Sequence, residues 1–408
     1  MRIFLFIVFS ISLLSADCLG DANLDNSIDN EDVVMMVQHI LHMDTMDSLN
    51  FQSADINGSS TVDIYDLSRV VDIINLSQFD DCNTFTPIDL SLDWQIEQDL
   101  SYFDSEMLNE IIVQEIGQME SIRGMIVIHR GKIVAEEYFY NSSMSQTYNI
   151  WSVTKSYIST LIGQAIDQGY IENQFITLDN IFIENAYTNQ VTIDNLLTMS
   201  SGWPENWTYM FIPSPLNTLL NTGLIWSPGS SWLYNNAACH LNSHVINELT
   251  EMSPRDFALE NLFPQLGISN PNWSDDQDNI HNGSYDLYLT LREMVKLGQL
   301  YLQDGMSLDN QLLSSEWISD ATSPQINNWY GYLWWLPGIG YLAVGLGGQY
   351  IAVVPELDLV IGTHSTTQSS DAYSDQLLSY IYNQIVPIFD LEGRVENRAL
   401  MLERIHEY

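Results

Sequence analysis

Ser152 and Lys155 stand three residues apart in Trp151-Ser152-Val153-Thr154-Lys155, and the chain has only two other lysines, Lys132 and Lys296. At the opening of a helix this spacing puts a hydroxyl and an amine one turn apart on one face. A serine placed there has its own N–H among the unpaired donors of the first turn, free to hold an oxyanion. An amine buried beside a hydroxyl can act as a base, because loss of water disfavours an ammonium. The next residues are apolar at Tyr157, Ile158, Leu161, Ile162 and Ile166, so a buried helix is expected over 156–168. The plain alternative is a helix cap with a solvated lysine; Trp151 before the motif and the apolar face after it argue against that.

Two further elements carry chemistry. Trp232-Leu233-Tyr234-Asn235-Asn236 offers the Tyr234 phenol as a proton relay and the Asn236 amide as a holder of a substrate carbonyl. Alone, it would read as a core tyrosine. Gly345-Leu346-Gly347-Gly348-Gln349 lies among apolar runs near the other end of the chain. Glycine within a strand often marks close backbone approach by a ligand. Gly347, Gly348 and Gln349 are therefore expected at the substrate, one of them giving a second oxyanion N–H; a simple turn between strands is the alternative.

These residues need a frame. Short apolar runs at 125–129 and 133–139, split by Arg130-Gly131, predict a hairpin. Runs at 341–346, 349–354 and 357–363 predict three more strands. Helical periodicity dominates between them, as at 289–301, and 371–385 predicts a closing helix. Strands from both ends enclosing a helical middle predict one α+β domain, with an antiparallel sheet, a helical lobe and a cleft between them.

The order Ser-x-x-Lys, Tyr-x-Asn, Gly-rich strand resembles the serine beta-lactamase and penicillin-binding-protein family over about residues 96–390. Thr192–Gly202, Ser243–Ile268 and Tyr330–Gly348 strengthen the likeness. Trp-Ser-Val-Thr-Lys, Tyr-Gly-Tyr-Leu-Trp-Trp and Gly-Gly-Gln look most like the 6-aminohexanoate-dimer hydrolase and carboxylesterase branch. The resemblance implies a beta-lactamase/transpeptidase-like fold and an acyl-enzyme mechanism needing no cofactor. Ser152 would be the nucleophile, with Lys155 and Tyr234 sharing its proton traffic. Asn236 would orient the substrate, and the N–H groups of Ser152 and Gln349 would form the oxyanion hole. Whether Lys155 or Tyr234 is the acylation base stays open. Leu346 stands where lactamases and cell-wall peptidases place Lys or His to hold a carboxylate. Small esters or amides are therefore expected as substrates, ahead of beta-lactams or cell-wall peptides. A non-catalytic assembly or binding protein is the alternative from another class, and the intact Ser152, Lys155 and Tyr234 set speaks against it.

The front of the chain contains a repeat. Oxygen side chains recur at loop positions 1, 3, 5, 9 and 12, as Asp21, Asn23, Asp25, Asp29 and Asp32, and again as Asp55, Asn57, Ser59, Asp63 and Asp66. Such alternation lets a tight loop wrap a hard cation. Val33, Met36, Val37 and Ile40 match Leu67, Val70, Val71 and Ile74 as helix faces. The pattern resembles the dockerin type I module, a small all-α EF-hand-like pair, and implies structural calcium and a cohesin partner. Asn26 and Ser60 replace the usual glycine at loop position 6. Asn30-Glu31 and Ile64-Tyr65 differ where cohesin recognition wants similar residues.

Residues 1–16 read as a cleaved signal peptide, too short to span a bilayer, which implies a secreted or periplasmic protein. Asp17 before Cys18 disfavours a lipobox. Residues 17–82 form the dockerin-like module, 83–95 a linker, 96–390 the hydrolase domain and 391–408 a tail. Cys18 and Cys82 are the expected disulfide, which leaves Cys239 a buried free thiol. With 12 basic against 53 acidic residues, the net charge of -41 excludes nucleic acid as a partner.

Overall fold

A computed structural model describes residues 22–23, 30–41, 46, 50–51, 54, 61–62, 64, 67 and 70. From 87 onward it describes all but 184–185, 368–369, 392, 396–401, 403–404 and 406–408. The chain divides into two units, Met1–Thr86 and Pro87–Tyr408.

In the small unit, helix α1 (Asn30–Ile40) carries Glu31 and Asp32 in its first turn, the favourable end of its dipole for acids. Its Met36 is buried with Ala22, Ala54, Val62 and Val70, and Val33 and Leu67 pack alongside. Val33 and Met36 from the first expected face thus meet Leu67 and Val70 from the second. Both cysteines of the expected disulfide, and the expected signal peptide, lie outside the described residues.

The large unit is built on five strands: β1 (Ile122–His129), β2 (Lys132–Tyr138), β3 (Tyr341–Gly345), β4 (Gln349–Val354) and β5 (Leu359–Ser365). Their order across the sheet is β2-β1-β5-β4-β3. Every neighbouring pair is antiparallel, and Met125 faces Thr363 where the two ends of the domain meet. The β1–β2 hairpin turns through Arg130 at φ 52° and Gly131 at φ 74°, the double left-handed turn that suits strand twist.

The helical lobe holds α2 (Thr154–Asp167) and α3 (Asn236–Thr250); α4 (Leu291–Leu302) packs on β4 and β5. Every residue of α2 from Thr154 to Ala165 is buried, so apolar periodicity understated how enclosed this helix is. The closing helix α5 (Asp371–Tyr380) continues as a π-turn over Ile381–Ile385.

The large unit reaches further toward the N-terminus than composition suggested. Residues 87–95, expected as linker, fold onto it: Leu90 and Trp94 are buried. Lys296 Nζ donates to the carbonyls of Leu90 and Leu92 at 2.8 and 2.7 Å. Lys132 pairs with Glu97 at 2.9 Å. Two of the three lysines thus tie the entry segment to the domain. In the expected tail, Val395 and Ile405 are buried. Among the described residues no helix is long and apolar enough to cross a membrane.

Candidate active site

Ser152 sits in a short 3-10 turn, Trp151–Val153, that leads into α2. Trp151 adopts φ 49°, a left-handed conformation that costs an ordinary residue roughly 1–2 kcal/mol. Its N–H is fixed by the Asn149 side chain at 2.8 Å. The turn aims Ser152 into a cleft of about 300 Å³ lined by Trp151, Trp207, Tyr234, Asn236, Tyr285 and Trp335, with the hairpin between β3 and β4 opposite.

Lys155 is buried behind the serine. Its Nζ donates to Ser152 Oγ at 2.9 Å, Asn236 Oδ1 at 2.8 Å and the Ser284 carbonyl at 2.9 Å. The same Nζ lies 4.8 Å from the centre of the Tyr234 ring, which stacks on Trp335.

Ser152, Lys155, Tyr234, Asn236 and Gly347 are therefore brought together, as the spacing predicts. Gly348 and Gln349 are not among the residues that line the cleft. Gln349 faces Gly345 in the β3–β4 ladder and is buried, with Nε2 donating to the Ser365 carbonyl at 2.5 Å. The hairpin residues that line the cleft are Val344, Gly345, Leu346 and Gly347. The side chain of Leu346 is 58% exposed. Of the tryptophans, Trp151, Trp207 and Trp335 line the cleft, whereas Trp334 is wholly core.

Sequence reasoning missed Glu205. Its Oε2 accepts the Asn236 N–H at 2.5 Å and its Oε1 faces Asn236 Nδ2 at 3.5 Å, at the N-terminus of α3. Burial raises its carboxyl above the ordinary value, opposed by the Asn236 N–H and by Lys155. No local pattern marks such a residue, because its partner is a helix terminus formed elsewhere.

A second buried group lies on α3. His240 and His244 Nε2 atoms approach Asp276 Oδ2 at 2.8 and 3.1 Å. These three are the described residues placed to hold a metal ion. The ring of His240 decides against that. Its Nδ1 accepts the Gly283 N–H at 3.1 Å, so its Nε2 carries the proton and donates to Asp276 rather than offering a lone pair. Burial pushes His240 down to about 4, so it is neutral at pH 7. Burial alone would raise the Asp276 carboxyl, but N–H donors from His240, His244 and Ile280 outweigh it and hold it below the usual range. The group ties α3 to the loop whose next residue, Ser284, turns its carbonyl to Lys155. The histidine spacing on one helix face was the available signal; Asp276 is too distant in sequence to be paired with it.

A family model for beta-lactamase matches residues 111–382. The chain belongs to the beta-lactamase family. Relatives in this family with the same fold are serine hydrolases, and their chemistry needs no cofactor. A dockerin type I domain model matches residues 19–75, so the family domain is preceded by a dockerin. The beta-lactamase-family domain superposes on a Bacillus anthracis protein assigned as a 6-aminohexanoate-dimer hydrolase. The TM-score is 0.61 at 20% identity, covering 74% of this chain and 89% of that one. A Bacteroides dorei protein assigned as a beta-lactamase gives 0.60 at 14% identity, covering 70% and 99%. An uncharacterized protein of Alkalihalophilus pseudofirmus is 24% identical over 314 residues, which are 63% of this chain and 87% of that protein. The structural likenesses show the fold: an antiparallel sheet with helices.

Dockerin type I domains typically bind calcium. The described part of the loop fits that ion. Asp32, at loop position 12, is fully buried and folds back so that Oδ1 accepts the N–H of Asn23 at position 3. A carboxylate closing the loop on itself, within an all-oxygen set, suits a hard cation. Asp21, Asp25 and Asp29 of this loop, and all five expected ligands of the second, lie outside the described residues.

Proposed function

We infer that this chain is an exported serine hydrolase that cleaves small neutral esters or amides through an acyl-Ser152 intermediate. The observation that carries this reading is the 2.9 Å contact between Lys155 Nζ and Ser152 Oγ, at the floor of an aromatic cleft. Among the described residues that line the cleft there is no lysine or arginine, and Asp371 is the charged one. A substrate carboxylate would meet no partner there, whereas aromatic walls suit an apolar acyl group.

In this scheme Ser152 Oγ attacks the acyl carbon while its proton passes to the Lys155–Tyr234 pair. The carbonyl oxygen gathers charge facing the Ser152 N–H and a backbone N–H of the hairpin at 345–347. The lining of the cleft by Val344 to Gly347 supports a donor in this stretch, next to the Gln349 N–H that the motif suggests. Asn236 orients the substrate and keeps Lys155 aimed. Collapse of the tetrahedral adduct expels the alcohol or amine, protonated through Tyr234. Water then enters, the same pair takes its proton, and Ser152 is released. The dockerin is proposed to bind calcium through the two loops from Asp21 and Asp55, and to dock a cohesin.

The test is a p-nitrophenyl butyrate burst with intact-mass detection, on the wild type and Ser152→Ala. The reading expects a burst and an acyl adduct on Ser152 that the variant lacks. A folded wild type with neither sinks the esterase reading and brings forward a peptidase or a scaffold.

A further inference from the structure

The carboxylate of Glu205 lies outside the cleft lining yet touches the residue that steadies Lys155. It sits on the segment 202–208, which Gly202 begins at φ 83°; a Cβ there would collide with the Trp226 carbonyl oxygen, so only glycine fits. From that turn Trp203 goes into the core, Glu205 under the start of α3, and Trp207 onto the cleft wall. Asn235 caps the same helix end, its side chain accepting the Ala238 N–H at 2.8 Å. Its Nδ2 in turn holds the Trp203 carbonyl at 2.8 Å. Glu205 is thereby braced against the helix it serves.

An asparagine amide has two chemically different ends of nearly equal size, and its orientation is set by its neighbours. Asn236 lies between an ammonium-type donor, Lys155 Nζ at 2.8 Å from Oδ1, and a carboxylate, Glu205 Oε1 at 3.5 Å from Nδ2. An ionised carboxylate accepts and never donates. Turning the amide over would set oxygen against Glu205 and N–H against Lys155, two repulsive contacts in a buried setting. We propose that Glu205 is a positioning residue for acyl transfer: it fixes the Asn236 amide so that Oδ1 faces Lys155, and through that contact keeps Nζ on Ser152 Oγ.

The inference rests on the acyl-serine reading above, and the two can fail separately. The variants are Glu205→Gln and Glu205→Asp, and the probe is a fluorophosphonate that labels an activated serine without needing the natural substrate. Gln matches Glu in size and can still accept the Asn236 N–H, but its amide can donate and so leaves Asn236 free to turn. Asp is shorter but acceptor-only. Labelling of Ser152 and kcat for p-nitrophenyl butyrate are expected to fall about 10- to 100-fold in Glu205→Gln, with KM nearly unchanged. Glu205→Asp is expected to retain more of both. A role in packing or capping alone predicts the opposite order, with Gln tolerated and Asp harmed, and that order overturns the proposal. Wild-type labelling bears on the acyl-serine reading, whereas the ranking of the variants bears on Glu205. The crystal structure of Glu205→Gln adds a readout independent of activity. Nζ is expected to leave hydrogen-bonding range of Ser152 Oγ, and an unchanged 2.9 Å contact overturns the proposal.

Discussion

Lys155 Nζ packs over the face of the Tyr234 ring, 4.8 Å from its centre, while donating to Ser152 Oγ 2.9 Å away. The ring and its hydroxyl therefore have separable jobs. Tyr234→Phe keeps the ring over the amine and the stack on Trp335, and removes the hydroxyl proposed as the proton relay. Its kcat is expected to fall about 10²- to 10⁴-fold with the melting temperature unchanged. Tyr234→Ala is expected to lose both activity and thermal stability. Stopped-flow acylation alongside calorimetry separates the two, and a Tyr234→Phe enzyme of wild-type rate removes Tyr234 from the chemistry.

Leu346 offers a gain-of-function test. Its side chain is 58% exposed at the lip of the cleft, so a longer polar residue costs little stability there. Leu346→Lys is expected to favour acyl donors bearing a carboxylate over matched neutral ones by roughly tenfold in kcat/KM, about 1.4 kcal/mol from one charge-assisted contact. Paired neutral and anionic p-nitrophenyl esters measure it; an unchanged ratio would place the acyl group away from this lip.

Acid should weaken the large unit through its buried histidines. Burial pushes His364 down to about 3 and His240 to about 4. Both values lie below that of an unfolded chain, near 6.5, so the unfolded state takes the proton first as pH falls. Stability is therefore complete above pH 6.5 and declines toward pH 4, by about 2 kcal/mol per histidine between pH 7 and 5. His364 Nε2 has no described partner, which makes it the cleaner probe. Urea unfolding of His364→Leu is expected to lose one histidine's share of that slope. A slope equal to wild type would mean His364 does not contribute.

Calcium should act on the dockerin alone. Removal by chelation is expected to abolish one calorimetric transition and leave ester turnover intact. Calcium at a hundred times its dissociation constant should restore about 2.7 kcal/mol to that transition. Asp32→Ala, which removes the buried carboxylate folded onto Asn23, is expected to prevent the recovery. Loss of esterase activity on chelation would contradict this division.

The sequence carried most of the frame, for a definite reason. Strands of alternating or continuous apolar residues, and a helix one turn from a reactive pair, are local properties. The five strands and α2 accordingly lie within a few residues of where periodicity puts them. What stayed hidden depends on tertiary placement. Glu205 and Ser284 matter through a helix terminus and a carbonyl, which no side-chain pattern advertises. Gln349 is buried with its side-chain amide on the Ser365 carbonyl while Leu346 and Gly347 line the cleft, a division that the order of residues in sequence does not reveal. Residues 87–95 look like linker by composition, and contacts from distant parts of the chain draw them onto the domain: Lys296 to the Leu90 and Leu92 carbonyls, Ser307 to the Leu90 N–H, and the Trp94 indole N–H to the Arg292 carbonyl.

The meeting of β1 with β5 has a consequence for how the protein is made. The central pair of the sheet, with Met125 opposite Thr363, cannot form until nearly the whole domain has been synthesised. Until then the apolar edge of β1 has no neighbour on that side, and α4 has only part of the surface it packs against. Contacts this distant along a chain form slowly and leave sticky intermediates exposed. A nascent chain of this design stays loose while it is elongating, which exposes it to proteolysis if the last strand is missing. A chain cut after Val354 is accordingly expected to be degraded rather than to survive as a weak enzyme.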